Sequence, residues 1–227
     1  MDFEPLPRWA AVAERLMRAA HVRVGCEAPA LEKFLPTMLD AVRGEAVRQL
    51  ELQGIGTPWE ERLRRGLASF ALELPPNLPD ELARLISEEL APTARIDAGV
   101  LPTLAALKEA RLHLGLISNT PWDTPGHYLE GLLRSEGLLE YLPVRLFSGD
   151  VGVRKPSARI FALALEAYGV APENAVFVGD DLHSDIRGAL NAGWHALWRR
   201  PRTMEDPVPP GCKPISAIAD IPGLLLS

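Results

Sequence analysis

The spacing of apolar positions divides the chain into two parts. Up to about residue 90, apolar residues recur every three or four positions, which is typical of amphipathic helices with one buried face. This spacing predicts helices over about residues 7–20, 30–50, 58–71 and 82–90. No stretch of this part has the pattern of a strand of any length. The sequence therefore predicts a small helical bundle at the start of the chain.

From about residue 98 the pattern changes to short apolar runs that alternate with helical stretches. Runs at residues 112–117, 144–147, 175–178 and 196–198 indicate strands. Alternating strands and helices imply a parallel sheet with helices on both of its faces. We therefore predict an α/β fold for this part, joined to the helices through a linker at residues 91–95, where Pro92 ends the preceding helix.

Polar residues follow the predicted strands at their carboxyl ends, where parallel sheets bind their ligands. Ser118 and Asn119 follow the first strand, and they offer a hydroxyl, an amide and backbone N–H groups to a phosphoryl or carboxylate oxygen. An ordinary turn after a strand would use the same two residues. Because two further polar clusters fall at the same edge, we expect a functional site there.

Three carboxylates lie within six positions after the third predicted strand: Asp180, Asp181 and Asp185. Two like charges about 4 Å apart repel by roughly 4 kcal/mol at an effective dielectric near 20. Such a cluster can point into water, keep a proton or hold a cation, and Mg2+ is the simplest cation for oxygen ligands. Alternatively, Asp185 complements the dipole of a helix whose predicted N-cap is Ser184, and Asp180 turns the chain.

Lys155 lies just before Pro156, which we expect to be the first helical residue. An ammonium beside the positive end of a helix could hold an anion, although a solvated surface lysine would fit the sequence too. The chain has only four lysines among its 24 lysines and arginines, which favours a specific need for a compact ammonium. His183, within the acidic stretch, is interpreted as a loop residue at the rim of the site.

Composition excludes several classes of partner. A net charge of −6 disfavours nucleic acid, whose backbone requires clustered positive charge. No apolar run has the length of a membrane span, and the first residues lack a signal pattern, so we expect a cytoplasmic protein without a membrane partner. Cys26 and Cys212 lack partners at metal-ligand spacing, which argues against structural zinc.

Three stretches together resemble motifs of the haloacid-dehalogenase-like (HAD) hydrolase superfamily. They are Ile117-Ser118-Asn119, Arg154-Lys155-Pro156, and Val178-Gly179-Asp180-Asp181 with Asp185, in the order of the family's second, third and fourth motifs. The resemblance implies a Rossmann-like, doubly wound parallel core at residues 95–227, with an N-terminal helical cap at residues 1–94. It also implies hydrolysis of a small phosphorylated metabolite through an aspartyl-phosphate intermediate, with Mg2+ as cofactor.

By position in these motifs, the resemblance also implies roles for single residues. Ser118 and Asn119 would bind the phosphoryl group, and Lys155 would neutralise it together with the nucleophile. Asp180 would ligate Mg2+, with Asp185 as a ligand or a water-mediated support and Asp181 as a further candidate. The acidic stretch favours a phosphatase over a dehalogenase, because dehalogenases of this superfamily work without metal and lack such a stretch.

The family's first motif, a strand followed by Asp-x-Asp-x-Thr that carries the nucleophile, has no counterpart in the sequence. Asp2 has no strand before it, and Asp97 follows the helical part. We expect the missing strand, which in this fold lies between the strands of Ser118 and Asp180, to be encoded upstream of Met1. The alternatives are a non-catalytic protein that binds metal and phosphate and, less favoured, a metal-free haloacid dehalogenase.

Overall fold

The structure, a computed structural model, describes residues 7–51, 56–91, 96–200 and 206–226. Asp2 and the predicted domain boundary after residue 94 lie outside these ranges. The division into residues 1–94 and 95–227 therefore stays a prediction.

The first part consists of helices, as the apolar spacing predicted. They are α1 (Pro7–Val24), α2 (Leu31–Glu51), α3 (Trp59–Ala68) and α4 (Leu78–Leu90). The apolar faces of these helices meet in one core, because each helix repeats its apolar residues once per turn. Fully buried members of this core include Phe34, Met38, Leu63, Leu67 and Leu82.

The second part alternates strands and helices, which confirms the predicted α/β class. Its elements are α5 (Val100–Glu109), β1 (Gly115–Ser118), α6 (His127–Ser135), β2 (Val144–Phe147), α7 (Ser148–Val151), α8 (Ala158–Tyr168), β3 (Val176–Gly179), α9 (Gly188–Asn191), β4 (His195–Arg199), β5 (Cys212–Ile215) and α10 (Ile221–Leu225). The four predicted strands are present. The fifth strand, β5, was not predicted.

The strand pairs of the described residues are parallel, and they form two sheets. Strand β1 pairs with β2, with Ser118 opposite Phe147, while β3, β4 and β5 form the second sheet, with Gly179 opposite Trp198. Within the described ranges, β1 and β3 share no ladder of hydrogen bonds. Apolar side chains span the two sheets instead, since Ile117 of β1 and Phe177 of β3 belong to one cluster with Phe161 of α8.

Two predicted helix starts are wrong. The helix expected at Pro156 begins at Ala158, after a cis peptide bond between Lys155 and Pro156. The helix after β3 opens as a π-helix, Leu182–Arg187, and its N-cap is Asp181 rather than Ser184. The carboxylate of Asp181 accepts a hydrogen bond from the Ser184 N–H at 2.5 Å, and an aspartate three residues upstream is a common acceptor for such a donor.

Helices that could cross a membrane were sought among the described residues, and none is both long and apolar enough.

Candidate active site

Lys155 lies between the two sheets, at the carboxyl ends of β1 and β3. Its ammonium nitrogen is 2.7 Å from Asp185 Oδ1 and donates to the carbonyl oxygen of Ile117 at 2.9 Å. The same nitrogen lies 5.0 Å from the ring centre of Phe177. Only 8% of the residue is exposed. One side chain thus contacts both β1 and the segment after β3, in a place that excludes most of the solvent.

Asn119 fixes the backbone at Lys155. Its amide nitrogen donates to the Lys155 carbonyl at 3.0 Å, and its amide oxygen accepts from the Lys155 N–H at 2.8 Å. This pair of bonds joins the loop after β1 to the loop before α8. Ser118 is half-buried at the end of β1. The structure therefore brings Ser118, Asn119 and Lys155 together, while their predicted binding of a phosphoryl group stays a prediction.

Asp185 is the buried acidic residue of the site, with 6% of its surface exposed. While Oδ1 pairs with Lys155, Oδ2 accepts from the backbone N–H groups of Asp180 and Asp181, both at 3.2 Å. Gly179 makes this possible, because a Cβ at that position would lie 2.6 Å from Asp185 Cγ. Asp185 therefore orients the turn that presents Asp180 and Asp181.

Asp180 and Asp181 are exposed, and their environments differ. Asp181 uses Oδ1 to cap the π-helix. The carbonyl of Asp180 accepts from the indole nitrogen of Trp198 at 3.0 Å, which ties this residue to β4. Although the residue as a whole is exposed, loss of solvent around its carboxyl group raises the pKa of Asp180, and the negative charge of Asp185 raises it further. A cation beside Asp180 would relieve both effects.

This donor set fits a magnesium ion that keeps several water ligands, as Mg2+ usually does. Among the described residues, no three His, Cys, Asp or Glu side chains form a ready metal cluster. Asp185 and Asp181 already bind protein groups, so Asp180 is the carboxylate best placed to contact the ion. The Asp185 carboxylate contacts the backbone of Asp180 and Asp181, and the role of the three residues as a ligand set stays a prediction. His183 is exposed in the same segment.

Asp123 is a buried residue near the site, outside the three motifs. Its Oδ2 pairs with Arg62 at 2.5 Å and with Arg154 at 3.5 Å, and its Oδ1 accepts from the Ser148 hydroxyl at 2.6 Å. Asp123 and Arg62 are 4% and 1% exposed. In the sequence, Arg62 lies next to Leu63 within the apolar stripe of α3, and this position indicates that the arginine is buried.

The comparisons with known proteins decide the family. The family model described as haloacid dehalogenase-like hydrolase matches residues 17–193. The chain belongs to this family. The HAD match includes most of the helical part and all three motifs that carry the resemblance.

Two relatives of this HAD-like hydrolase are phosphatases by name. The phosphoserine phosphatase of Thermus thermophilus is 35% identical in an alignment of 212 residues that covers 86% of this chain and 83% of the relative. The glyceraldehyde 3-phosphate phosphatase of Methanopyrus kandleri is 32% identical in an alignment of 180 residues that covers 69% of this chain and 74% of that relative. These similarities support the phosphatase branch of the family.

The fold is also similar to that of a crystal structure of 2-haloacid dehalogenase from Pseudomonas syringae. The TM-score is 0.63 at 21% sequence identity, with 96% of this chain and 89% of that chain covered. At this identity the likeness shows the HAD fold alone.

Proposed function

We propose that this HAD-like hydrolase is a magnesium-dependent phosphatase that acts on a small phosphorylated metabolite. The observation that carries the proposal is the buried Lys155–Asp185 ion pair, 2.7 Å long, at the sheet edge that also holds Ser118, Asn119 and Asp180. The named phosphatase activities of the relatives in Thermus thermophilus and Methanopyrus kandleri support this choice over dehalogenation.

The residues of the site suit a phosphoryl group. Ser118 would donate its hydroxyl to a phosphoryl oxygen, and Lys155 would balance the negative charge that gathers during transfer. Asp185 would hold Lys155 in place and orient the turn at Asp180. Asp180 would hold Mg2+, which supplies a positive charge for the phosphoryl oxygens when it is bound. The helices before residue 91 would cover the site and select the substrate.

None of the residues given a role above is the nucleophile. The family resemblance implies an aspartate on a strand between β1 and β3, and the described ranges contain no strand in that place. The second candidate function is a protein that binds phosphate and metal without turnover, and it differs from the first in the outcome of a turnover assay.

A screen of phosphate monoesters separates the two candidates. We would assay the chain with phosphoserine, glyceraldehyde 3-phosphate and related esters, with Mg2+ and with a chelator, beside a form extended upstream of Met1. Magnesium-dependent release of phosphate that Asp180→Asn abolishes supports the phosphatase. Tight binding of inorganic phosphate without turnover in either form supports the binding protein. Absence of both binding and turnover contradicts the proposal.

A further inference from the structure

Arg62 of α3 is a buried arginine that joins the helical part to the α/β part. Its Nε donates to the Thr57 carbonyl at 2.9 Å, and Nη1 donates to the Val42 carbonyl at 3.2 Å. Its Nη2 donates to Asp123 Oδ2 at 2.5 Å. Because three separate acceptors engage the planar guanidinium, its orientation is fixed on both sides of the junction.

Asp123 connects Arg62 to the loop that follows β1 through hydrogen bonds. Its second oxygen accepts from the Ser148 hydroxyl at 2.6 Å, and the same hydroxyl oxygen accepts from the Thr120 N–H at 3.0 Å. Thr120 directly follows Ser118 and Asn119. A continuous chain of hydrogen bonds therefore runs from α3 to Thr120, which adjoins the residues that we propose bind the phosphoryl group.

The backbone of this loop needs such support. Trp122 and Asp123 have φ values of 48° and 54°, in the left-handed region that residues with a Cβ rarely adopt. Such conformations persist where surrounding contacts hold them. The Trp122 side chain packs against the core of the helical part, and Arg62 holds the Asp123 carboxylate from the same direction.

A backbone contact joins the same region of the helical part to the second loop of the site. The Gly56 N–H donates to the Gly152 carbonyl at 3.0 Å, close before Arg154 and Lys155. The segment that leads into α3 and α3 itself thus touch both loops that flank the Lys155 ammonium.

We propose that Arg62 is a positioning residue, which sets the conformation of residues 118–124 through Asp123 and so places Ser118 and Asn119 for a phosphoryl group. This inference rests on the proposed function for its ligand. The coupling between Arg62 and the loop is a property of the protein alone.

The coupling is tested by amide hydrogen exchange without ligand. In Arg62→Met, we expect the amides of Thr120, Trp122, Asp123 and Thr124 to exchange roughly tenfold faster, because local opening of the loop would no longer break a hydrogen bond between two charged groups. Arg62→Lys keeps the positive charge but lacks the planar guanidinium group, so it should give a smaller increase in the exchange rates. Arg65→Met is the matched control on α3, since Arg65 is exposed and pairs with Glu61, and it should leave this loop unchanged.

Two results would overturn the inference. One is unchanged exchange of residues 120–124 in the Arg62 variants. The other is an equal rise throughout α1 and α4, which would mean that Arg62 only stabilises the helical part. Should Arg62→Met fail to fold, Arg62→Lys and Asp123→Asn decide by the same criteria.

Binding of inorganic phosphate, followed by calorimetry, tests the consequence for the site. Arg62→Met should weaken the affinity of the folded protein roughly tenfold, with Arg62→Lys in between and Arg65→Met at the wild-type value. Equal affinities in all variants would contradict a positioning role. If the wild-type protein neither binds phosphate nor hydrolyses a phosphate ester, the proposed function fails, while the exchange data still decide whether Arg62 controls the loop.

Discussion

The ammonium of Lys155 and the carboxylate of Asp185 form a buried ion pair, with Nζ 2.7 Å from Oδ1. A buried pair is tolerable only where further hydrogen bonds compensate the loss of water. Here the Ile117 carbonyl accepts from the ammonium, and two backbone N–H groups donate to the carboxylate. The pair is therefore part of a complete network, in which each partner depends on the other.

Replacing Lys155 by methionine should lower the free energy of unfolding by about 3–5 kcal/mol, because Asp185 would keep a buried charge without its partner. Chemical denaturation measures this loss. Lys108→Met is the control, since Lys108 is exposed and its ammonium lies over the ring of Tyr141 and donates to a carbonyl on the surface. A loss below about 1 kcal/mol for Lys155→Met would show that the pair does not hold the site together.

Gly179→Ala should disturb the same network from the backbone side. The new methyl group would meet the Asp185 carboxylate, so Asp185 would have to move from Lys155, at a cost of at least about 1–3 kcal/mol. Gly131→Ala is the matched control, because Gly131 lies in α6 with open space around its Cβ position. That change should instead stabilise the protein by about 0.5–1 kcal/mol. Thermal unfolding of both variants compares them directly.

Magnesium should stabilise the protein through Asp180. At a concentration 100 times the dissociation constant, a ligand adds about 2.7 kcal/mol to the free energy of unfolding. For a chain of this size that corresponds to a rise of about 5–10 °C in Tm. Asp180→Asn should remove the rise, and Asp40→Asn, at an exposed carboxylate of α2, should retain it. A full magnesium shift in Asp180→Asn would assign the ion to other residues.

The two cysteines should differ in their reaction with iodoacetamide. Burial raises the pKa of the Cys212 thiol, whereas Cys26 is exposed. Because a raised pKa leaves less thiolate at any given pH, labelling of Cys212 should be several-fold slower than labelling of Cys26 at pH 8, and its rate should rise only at higher pH. Mass spectrometry of the folded protein measures both rates. In denaturant the two rates should converge, and equal rates in the folded protein would contradict the prediction.

Much of the α/β part was predictable because its strands are short apolar runs followed by polar residues. The run before Asp180 and the run before Ser118 both mark β-strands, and the rule for parallel sheets predicts that the two ends meet. Strand β5 lacked this signal, since Cys212–Ile215 contains Lys213 and Pro214, and only its pairing with β4 defines it.

Contacts between distant residues account for the features that local patterns missed. Arg62 and Asp123 are 61 positions apart, and neither belongs to a recognisable motif. Asp181 and Ser184 were both possible N-caps of the helix after β3, and the structure has Asp181 in that position. The position of the N-cap follows from the turn at residues 180–185, because the Asp185 carboxylate orients this turn through two backbone N–H groups.

The burial of Arg62 and Asp123 also determines how the protein should respond to ionic strength. Dissolved ions screen exposed charges such as Arg15 and Glu89, which pair between α1 and α4, far more than charges enclosed by protein. Concentrated salt should therefore weaken the Arg15–Glu89 pair well before it weakens the Arg62–Asp123 pair between α3 and the loop after β1. The ion pair that joins the two parts would then persist at salt concentrations that screen the ion pairs on the surface.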